Sequence, residues 1–265
     1  MTAATISIVS HGHGALLRAL LKDLSGQQQI KECRIVITLN LAGEQLDPAD
    51  FPLLSITLIH NASPKGFGAN HNAAFKYCDS PWFIVLNPDI RLPEPTLVRH
   101  MIAGLPGAGE GIRAPLVGNS HGGMEDSVRV NLSPLSLALR VLGKREPYAP
   151  DGPSKQGRRF YWVAGMCMVV NAQAYRKLGG FDERLFLYCE DYDLCLRTYL
   201  AGYTTDLMKN VLVIHDAQRD SHRSMKHLRW HISSLLRVWM SAPFWKLAVA
   251  SNGYDAIEQR SNDVS

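Results

Sequence analysis

Trp82-Phe83-Ile84-Val85-Leu86 runs straight into Asn87-Pro88-Asp89, and this stretch decides how the chain is read. An unbroken apolar run too short for a helix, closed by a turn sequence, is the pattern of a strand buried on both faces. Working outward, Thr5-Ile6-Ser7-Ile8-Val9, Arg34 to Leu39 and Leu54 to Ile59 read as further strands. Between them Ala15 to Leu24 repeats leucine at helical spacing, and Gly66-Phe67-Gly68 opens a second helix that runs to about Tyr77. Strands alternating with helices imply an α/β fold with a mostly parallel, Rossmann-like central sheet and right-handed crossovers. Ligands of such sheets bind beyond the carboxyl ends of the strands.

Downstream the pattern changes. Residues 118–159 are rich in Gly, Pro and Ser and read as an irregular insertion, with one short helix near Leu135 to Leu142. Order resumes at Phe160 to Val170, followed by a helix near Ala172 to Lys177 that Gly179-Gly180 ends, a helix over Glu190 to Leu200 and a last strand over Val211 to Ile214. His222 to Met240 reads as a basic amphipathic helix, and the tail after Ser251 as frayed. These features divide the chain into a catalytic domain over 1–217 and a helical extension with tail over 218–265.

Composition narrows the function. The chain has 265 residues, 46% of them hydrophobic and 20% charged, with 28 basic and 24 acidic side chains and a net charge of +4. That excludes a disordered or fibrous chain, and is too weakly basic to argue for nucleic acid. Five cysteines without a C-x-x-C pair argue for buried thiols in a reducing compartment, not a disulfide framework or zinc knuckle. No basic stretch precedes an apolar block at the N-terminus, and no apolar run is long enough to span a bilayer.

Two acidic clusters carry chemistry. Asn87 and Asp89 flank a residue of fixed φ, and their hard oxygens suit Mg²⁺ or Mn²⁺ shared with a diphosphate. Asn-Pro-Asp is equally a turn sequence in which Asp89 caps the next helix. Glu190, Asp191 and Asp193 stand at a helix start, where the dipole alone would account for them. The aromatic shell of Phe181, Phe186, Tyr188 and Tyr192 adds something else: a carboxylate half-buried among rings has its pKa raised toward that of a general base.

Gly66-Phe67-Gly68-Ala69-Asn70-His71-Asn72, Asn87-Pro88-Asp89, Trp162-Val163-Ala164-Gly165, Gly179-Gly180-Phe181-Asp182-Glu183 and Glu190-Asp191-Tyr192-Asp193-Leu194 occur in this order. Together they resemble the family 2 glycosyltransferases, and most closely the bacterial rhamnosyltransferase-like branch, over about Ile6 to His215. The resemblance implies a GT-A fold, a nucleotide-sugar donor, a divalent cation (Mn²⁺ or Mg²⁺) and an inverting single displacement. It implies that Asp89, with Asn87 beside it, holds metal and diphosphate, and that His215 is a further metal ligand. It makes Asp191 the catalytic base and sets Gly165 close to donor and acceptor sugars. Asn87 stands where relatives carry Asp, Leu39-Asn40 where many carry a base-reading Asp, and His11-Gly12-His13-Gly14 where a Tyr-Asn type of turn is common.

The remaining candidates follow from position. Ser10 and His11 end the first strand and Asn40 the second, where a nucleotide would sit. Lys65 could meet a phosphate, and Gly66 and Gly68 would let the backbone approach a ligand, or simply make a loop-to-helix junction. Asn72 belongs to the same donor segment, while Trp162 and Glu190 join Gly165 and Asp191 on the acceptor side. Trp162 would stack on a sugar face or fill the core.

The basic segment 222–247, with Trp230, Trp239 and Trp245, fits contact with a membrane surface, or a helix that packs its apolar side on the domain. The expected function is transfer of a sugar, with dTDP-rhamnose the leading donor and UDP-sugars open, to a saccharide or lipid-linked acceptor in bacterial surface polysaccharide synthesis. The expected location is cytoplasmic, with peripheral contact at the inner face of the inner membrane. A non-catalytic nucleotide- or sugar-binding module and a metal-dependent nucleotide-sugar hydrolase are the competing readings. A dinucleotide enzyme is disfavoured because no third glycine completes a G-x-G-x-x-G in the first βα turn.

Overall fold

The computed structural model describes residues 2–134, 137, 150–216 and 225–249. Four parallel strands form its first half: β1 (Ala4–Ser10), β2 (Cys33–Leu39), β3 (Ser55–His60) and β4 (Trp82–Leu86). Their crossovers contain α1 (Gly14–Ser25) and α2 (Phe67–Phe75). The second half adds β5 (Ile90–Arg91), α3 (Leu97–Met101), β6 (Glu110–Asn119), β7 (Val128–Val130), β8 (Tyr161–Val163) and β9 (Cys167–Asn171). It ends with α4 (Ala172–Leu178), α5 (Glu190–Leu200), β10 (Thr204–His215) and α6 (Met225–Trp239). The main sheet runs β3-β2-β1-β4-β9-β6-β10-β5, and β7 pairs with β8 as a separate ribbon.

The expected strand 82–86 is β4, and all five of its residues are buried. It lies between β1 and β9, so both edges are paired, and a core cluster covers each face. Alternation sorts the side chains. Trp82, Ile84 and Leu86 join Ile6, Ile8, Ile35 and Ile37 under α1 and α3, whereas Phe83 and Val85 join Val36 and Tyr175 on the opposite side. Leu17, Leu20, Leu21 and Leu24 of α1 are all buried, each contributing about 2 kcal/mol of transfer free energy. α4 begins on the Asn171 side chain, which accepts the Gln173 and Ala174 amides, and ends at Gly179 with φ +78°.

Three expectations need correction. The sheet is mixed: β3-β2, β2-β1, β1-β4 and β6-β10 are parallel, but β4-β9, β9-β6 and β10-β5 are antiparallel. The last strand starts at Thr204, not Val211; its first half is polar because a shift in pairing between Met208 and Leu212 leaves it half-exposed beside β6. The stretch 118–159 is partly ordered, since Val128–Val130 pairs with Tyr161–Val163. Most of the expected 135–142 helix, Arg219, Arg223 and the tail after Ser251 lie outside the described residues.

This topology collects one edge. Ser10, Leu39, His60 and Leu86 end the parallel strands there, and β10 ends alongside them at His215. β9 runs the opposite way, so it is its beginning that meets the same edge: Cys167 pairs with Leu86, and the Asn87 amide donates to the Met166 carbonyl at 2.9 Å. β5 pairs with β10, which sets Ile90 opposite His215. Asp89, Gly165 and His215, 126 residues apart at the extremes, are thereby neighbours of one strand end.

Candidate active site

At the β4 terminus Pro88 directs the chain so that Asp89 turns toward β10. Asp89 Oδ2 lies 3.2 Å from His215 Nε2, and the Asp216 amide donates to the Asp89 carbonyl at 2.8 Å. Both side chains are largely covered, 24% and 16% exposed. Asp89 Oδ1 and His215 Nδ1 are buried without a hydrogen-bond partner. Burial pushes the imidazole pKa down, but the hydrogen bond and charge of Asp89, with Glu125 and Asp216 behind it, outweigh that and raise it. A buried carboxylate oxygen left without a donor is the arrangement a cation satisfies. Among the described residues no three His, Cys, Asp or Glu side chains gather as a metal cage. A divalent ion here would take Asp89 and His215 as protein ligands and draw its remaining oxygens from phosphate and water, as Mg²⁺ and Mn²⁺ sites commonly do.

The second cluster joins the same sheet edge at Gly165, next to the Met166 whose carbonyl accepts from the Asn87 amide. The Gly165 amide donates to Asp191 Oδ2 at 2.9 Å, and the Tyr192 amide donates to Asp191 Oδ1 at 2.8 Å. A Cβ on Gly165 would sit in ordinary contact, 3.4 Å from both the Asp191 Cβ and the Phe67 ring, so the hydrogen bond from its amide is what holds the carboxylate at this edge. Glu190 is 5% exposed and its Oε2 has no partner. Burial raises both carboxyl pKa values, and the Asp191 charge pushes Glu190 well above the usual range. Two backbone amides stabilise the charged form of Asp191, whereas no donor reaches the Glu190 Oε2. Arg129 on β7, stacked 5.1 Å over the Trp162 ring, pulls the Asp191 value back down. Asp193 is paired to Arg197 at 2.7 Å, and Arg197 also donates to the Leu178 and Gly180 carbonyls. The third acid thus anchors the turn before α5 and is not presented as a reacting group.

The loop that delivers Glu190 and Asp191 is strained. Tyr188 and Cys189 both have positive φ, +73° and +67°, and neither is glycine. Such residues cost on the order of 1–3 kcal/mol each and persist only where their surroundings dictate them. Here the surroundings are α2 on one side and α6 on the other. The Phe67 amide donates to the Phe186 carbonyl at 2.9 Å. Ser234 Oγ donates to the Leu187 carbonyl at 2.9 Å, and the Tyr188 hydroxyl lies 2.9 Å from His227 Nδ1. α6 thus braces the loop that carries Glu190 and Asp191.

Several expected ligand contacts are engaged internally. Trp162 is 3% exposed, with its ring under Arg129 and its indole N–H on the Val130 carbonyl, so it fills the core below the site and offers no face to a sugar. Asn40 spends its amide on the 61–66 loop: Oδ1 accepts from Asn61 Nδ2 and the Lys65 amide, and Nδ2 donates to the Lys65 carbonyl. Asn72 is likewise committed, accepting from the Tyr175 hydroxyl and the Phe181 amide and donating to the Phe181 carbonyl and Glu183. Ser10 is buried with its hydroxyl on Glu44. Gly66 and Gly68 do permit a close approach, but of this chain's own residues: a Cβ would lie 2.6 Å from the Phe186 carbonyl oxygen and 2.6 Å from the Phe181 Cβ, respectively. Lys65 is exposed at the edge, and so is His11, whose Nδ1 lies 3.2 Å from Asn40 Nδ2. Glu44, Asn61 and Arg129 have no local pattern in the sequence; each acts through a partner on another element.

The comparisons with known proteins bear on the whole arrangement. A family model described as glycosyl transferase family group 2 matches residues 150–260. The chain is 28% identical over 249 residues to rhamnosyltransferase WbbL of Escherichia coli K12, covering 88% of this chain and 90% of that protein. It is 29% identical over 165 residues to an N-acetylglucosaminyl-diphospho-decaprenol L-rhamnosyltransferase of Mycobacterium tuberculosis, covering 58% of this chain and 53% of that one. Among solved structures, a Pyrobaculum calidifontis mannosyltransferase in complex with GDP-Man and Mn²⁺ superposes with TM-score 0.60 at 16% identity, over 95% of this chain and 69% of that one. GalNAc-T7 with UDP, GalNAc and Mn²⁺ gives 0.61 at 14% identity, over 82% and 43%.

The fold is GT-A, and the likeness to family 2 glycosyltransferases read from the ordered motifs is borne out. The comparisons support a glycosyltransferase of bacterial polysaccharide synthesis, and neither a silent binding module nor a hydrolase is favoured.

Proposed function

We propose that this protein is an inverting, metal-dependent rhamnosyltransferase that takes L-rhamnose from dTDP-rhamnose and passes it to a lipid-linked saccharide. The observation that carries the reading is the gathering of two acidic clusters at one sheet edge, Asp89–His215 and Gly165–Asp191. The names of the two relatives support rhamnose as the sugar, and that of the mycobacterial one supports a polyprenyl-diphosphate acceptor. Nucleotide-sugar and Mn²⁺ complexes among the structural neighbours support the cofactor.

The donor diphosphate would lie between the β1, β2 and β4 ends, with His11 and Lys65 at its rim. Mn²⁺ or Mg²⁺ held by Asp89 and His215, with Asn87 beside them, would supply Lewis-acid stabilisation of the charge that develops on the leaving diphosphate. Asp191, fixed by two backbone amides and raised in basicity by burial, takes the proton of the acceptor hydroxyl as that oxygen attacks the anomeric carbon from the face opposite the diphosphate. One displacement inverts the configuration, by the geometry that serves inverting glycosidases. Gly165 leaves room for the two sugars to meet beside that carboxylate.

The testing experiment is thermal stabilisation by dTDP, UDP and GDP, each with Mn²⁺, Mg²⁺ or EDTA, followed by turnover of the stabilising nucleotide's rhamnose conjugate. A nucleotide at one hundred times its Kd adds about 2.7 kcal/mol of stability, an easily seen shift. Stabilisation that ignores metal, or that prefers GDP, contradicts the assignment.

A further inference from the structure

α6 is amphipathic twice over. Leu235 and Val238, with Phe244 and Leu247 of the following helical segment 242–249, are buried in the core beside α5. A second apolar row stays outside. Met225, Leu228, Ile232, Leu236 and Met240 recur every three or four residues and are 76%, 53%, 48%, 48% and 77% exposed. Trp245 and Val249 continue it at 60% and 76%. A monomer rarely leaves so contiguous an apolar strip in water without a partner for it. Lys226, Arg229 and Arg237 stand on the same exposed side of α6, and Lys246 on the next segment. No Asp or Glu occurs between Asp220 and Asp255.

We infer that this strip is a docking surface for an anionic lipid bilayer, with α6 and the 242–249 segment lying in the interfacial plane. An apolar row flanked by cations, lacking any carboxylate and ending in an exposed tryptophan is complementary to a headgroup layer with negative charge. A second copy of the chain would bring the same cations against each other. Among the described residues no helix is long and apolar enough to cross a membrane, so the contact lies on the surface. The consequence reaches the site: the opposite face of α6 holds Leu187 through Ser234 and Tyr188 through His227, next to Glu190 and Asp191. Docking therefore sets the catalytic loop one helix diameter from the lipid. This extends the lipid-linked acceptor reading and rests on it only for its purpose.

Cosedimentation with vesicles of phosphatidylcholine alone, or with added phosphatidylglycerol, tests it without donor or acceptor, so its failure leaves the transferase reading standing. The full chain is expected to bind phosphatidylglycerol vesicles, more weakly at high salt and on neutral vesicles. The triple variant Leu228→Ser, Ile232→Ser, Leu236→Ser should bind at least about tenfold more weakly, because each residue removes apolar area from the contact. Trp245→Ser alone should weaken binding severalfold. These side chains are exposed, so melting temperatures should match the wild type and exclude a folding defect. Absence of vesicle binding by the wild type, equal binding by the triple variant, or a concentration-dependent dimer that the triple variant dissolves would each overturn the proposal.

Discussion

Gly66→Ala should damage catalysis from a position that touches no substrate. The φ of Gly66 is −65° with ψ 162°, a conformation alanine adopts freely, so backbone preference is not at issue. Space is. The added Cβ would lie 2.6 Å from the Phe186 carbonyl oxygen and 2.9 Å from its Cα, where ordinary contact begins near 3.4 Å. Relief requires a displacement of about 0.8 Å, and backbone on both sides resists it. Moving the 186 segment away from α2 stretches the hydrogen bond from the Phe67 amide, about 1 kcal/mol, on top of about 1–3 kcal/mol for overpacking. The total is about 2–4 kcal/mol, read as a lower urea midpoint at unchanged slope. The displaced segment runs through the strained Tyr188–Cys189 pair into Asp191, and a shift approaching 1 Å at a base costs up to ~10²-fold in rate. We expect kcat to fall by ~10–10²-fold with donor KM nearly unchanged. Gly14→Ala is the control: nothing lies within 4 Å of its Cβ, so stability should change by no more than about 0.5 kcal/mol. Wild-type stability and kcat in Gly66→Ala would refute the argument that the 186 carbonyl is clamped.

Asp191→Asn retains an acceptor for the Gly165 amide but not the base, so donor binding should persist while kcat drops ~10²–10⁴-fold, measured by product release with and without acceptor. Asp89→Asn and His215→Ala should each abolish the Mn²⁺-dependent part of nucleotide stabilisation and leave the ligand-free melting temperature within a few degrees, since each side chain already has one buried polar atom, Asp89 Oδ1 and His215 Nδ1, without a partner. His71 is fully buried, its Nδ1 2.8 Å from Ser7 Oγ, and burial lowers its pKa to about 3. A neutral buried base stabilises the fold fully above the unfolded value of about 6.5 and progressively less as pH falls toward 3. Between pH 6.5 and pH 5 the loss is about 2 kcal/mol. The buried Glu190 contributes a slope of the opposite sign in the same range, so the check is the difference in urea stability between wild type and His71→Asn: if the two lose stability in parallel below pH 6.5, His71 is not the source.

What could be read in advance was whatever one residue's neighbours in sequence dictate. Burial of 82–86 on both faces, the leucine face of α1 and the glycine stop after α4 are local patterns, and each is present where periodicity and end signals placed it. The facing of Asp89 and His215 is not local, and nothing in composition or spacing implies it; only the resemblance to other chains joins the two. β6 and the polar half of β10 carry no clear local signal for a related reason. Their side chains are neither cleanly alternating nor uniformly apolar, because the pairing shift between Met208 and Leu212 leaves one segment to solvent and the other to a neighbour. The asparagines show the sharpest limit. Asn40, Asn61, Asn70 and Asn72 look alike in a sequence rich in loop signals, and an amide near a strand end invites a ligand role. In the fold they cross-link segments: Asn61 joins Asn40 to Asn70, and Asn72 ties α2 to the turn that leads to Phe181. A buried amide must have its donors and acceptors satisfied, and here backbone and side-chain groups of this chain engage those of Asn40 and Asn72. The same accounting explains why the two glycines of the 66–68 turn serve the loop instead of a phosphate. The acidic cluster at Glu190 and Asp191 is consequently positioned less by polar side chains at the strand ends than by a loop that α2 and α6 clamp from opposite sides, and the variants that test its role most directly are those that loosen the clamp.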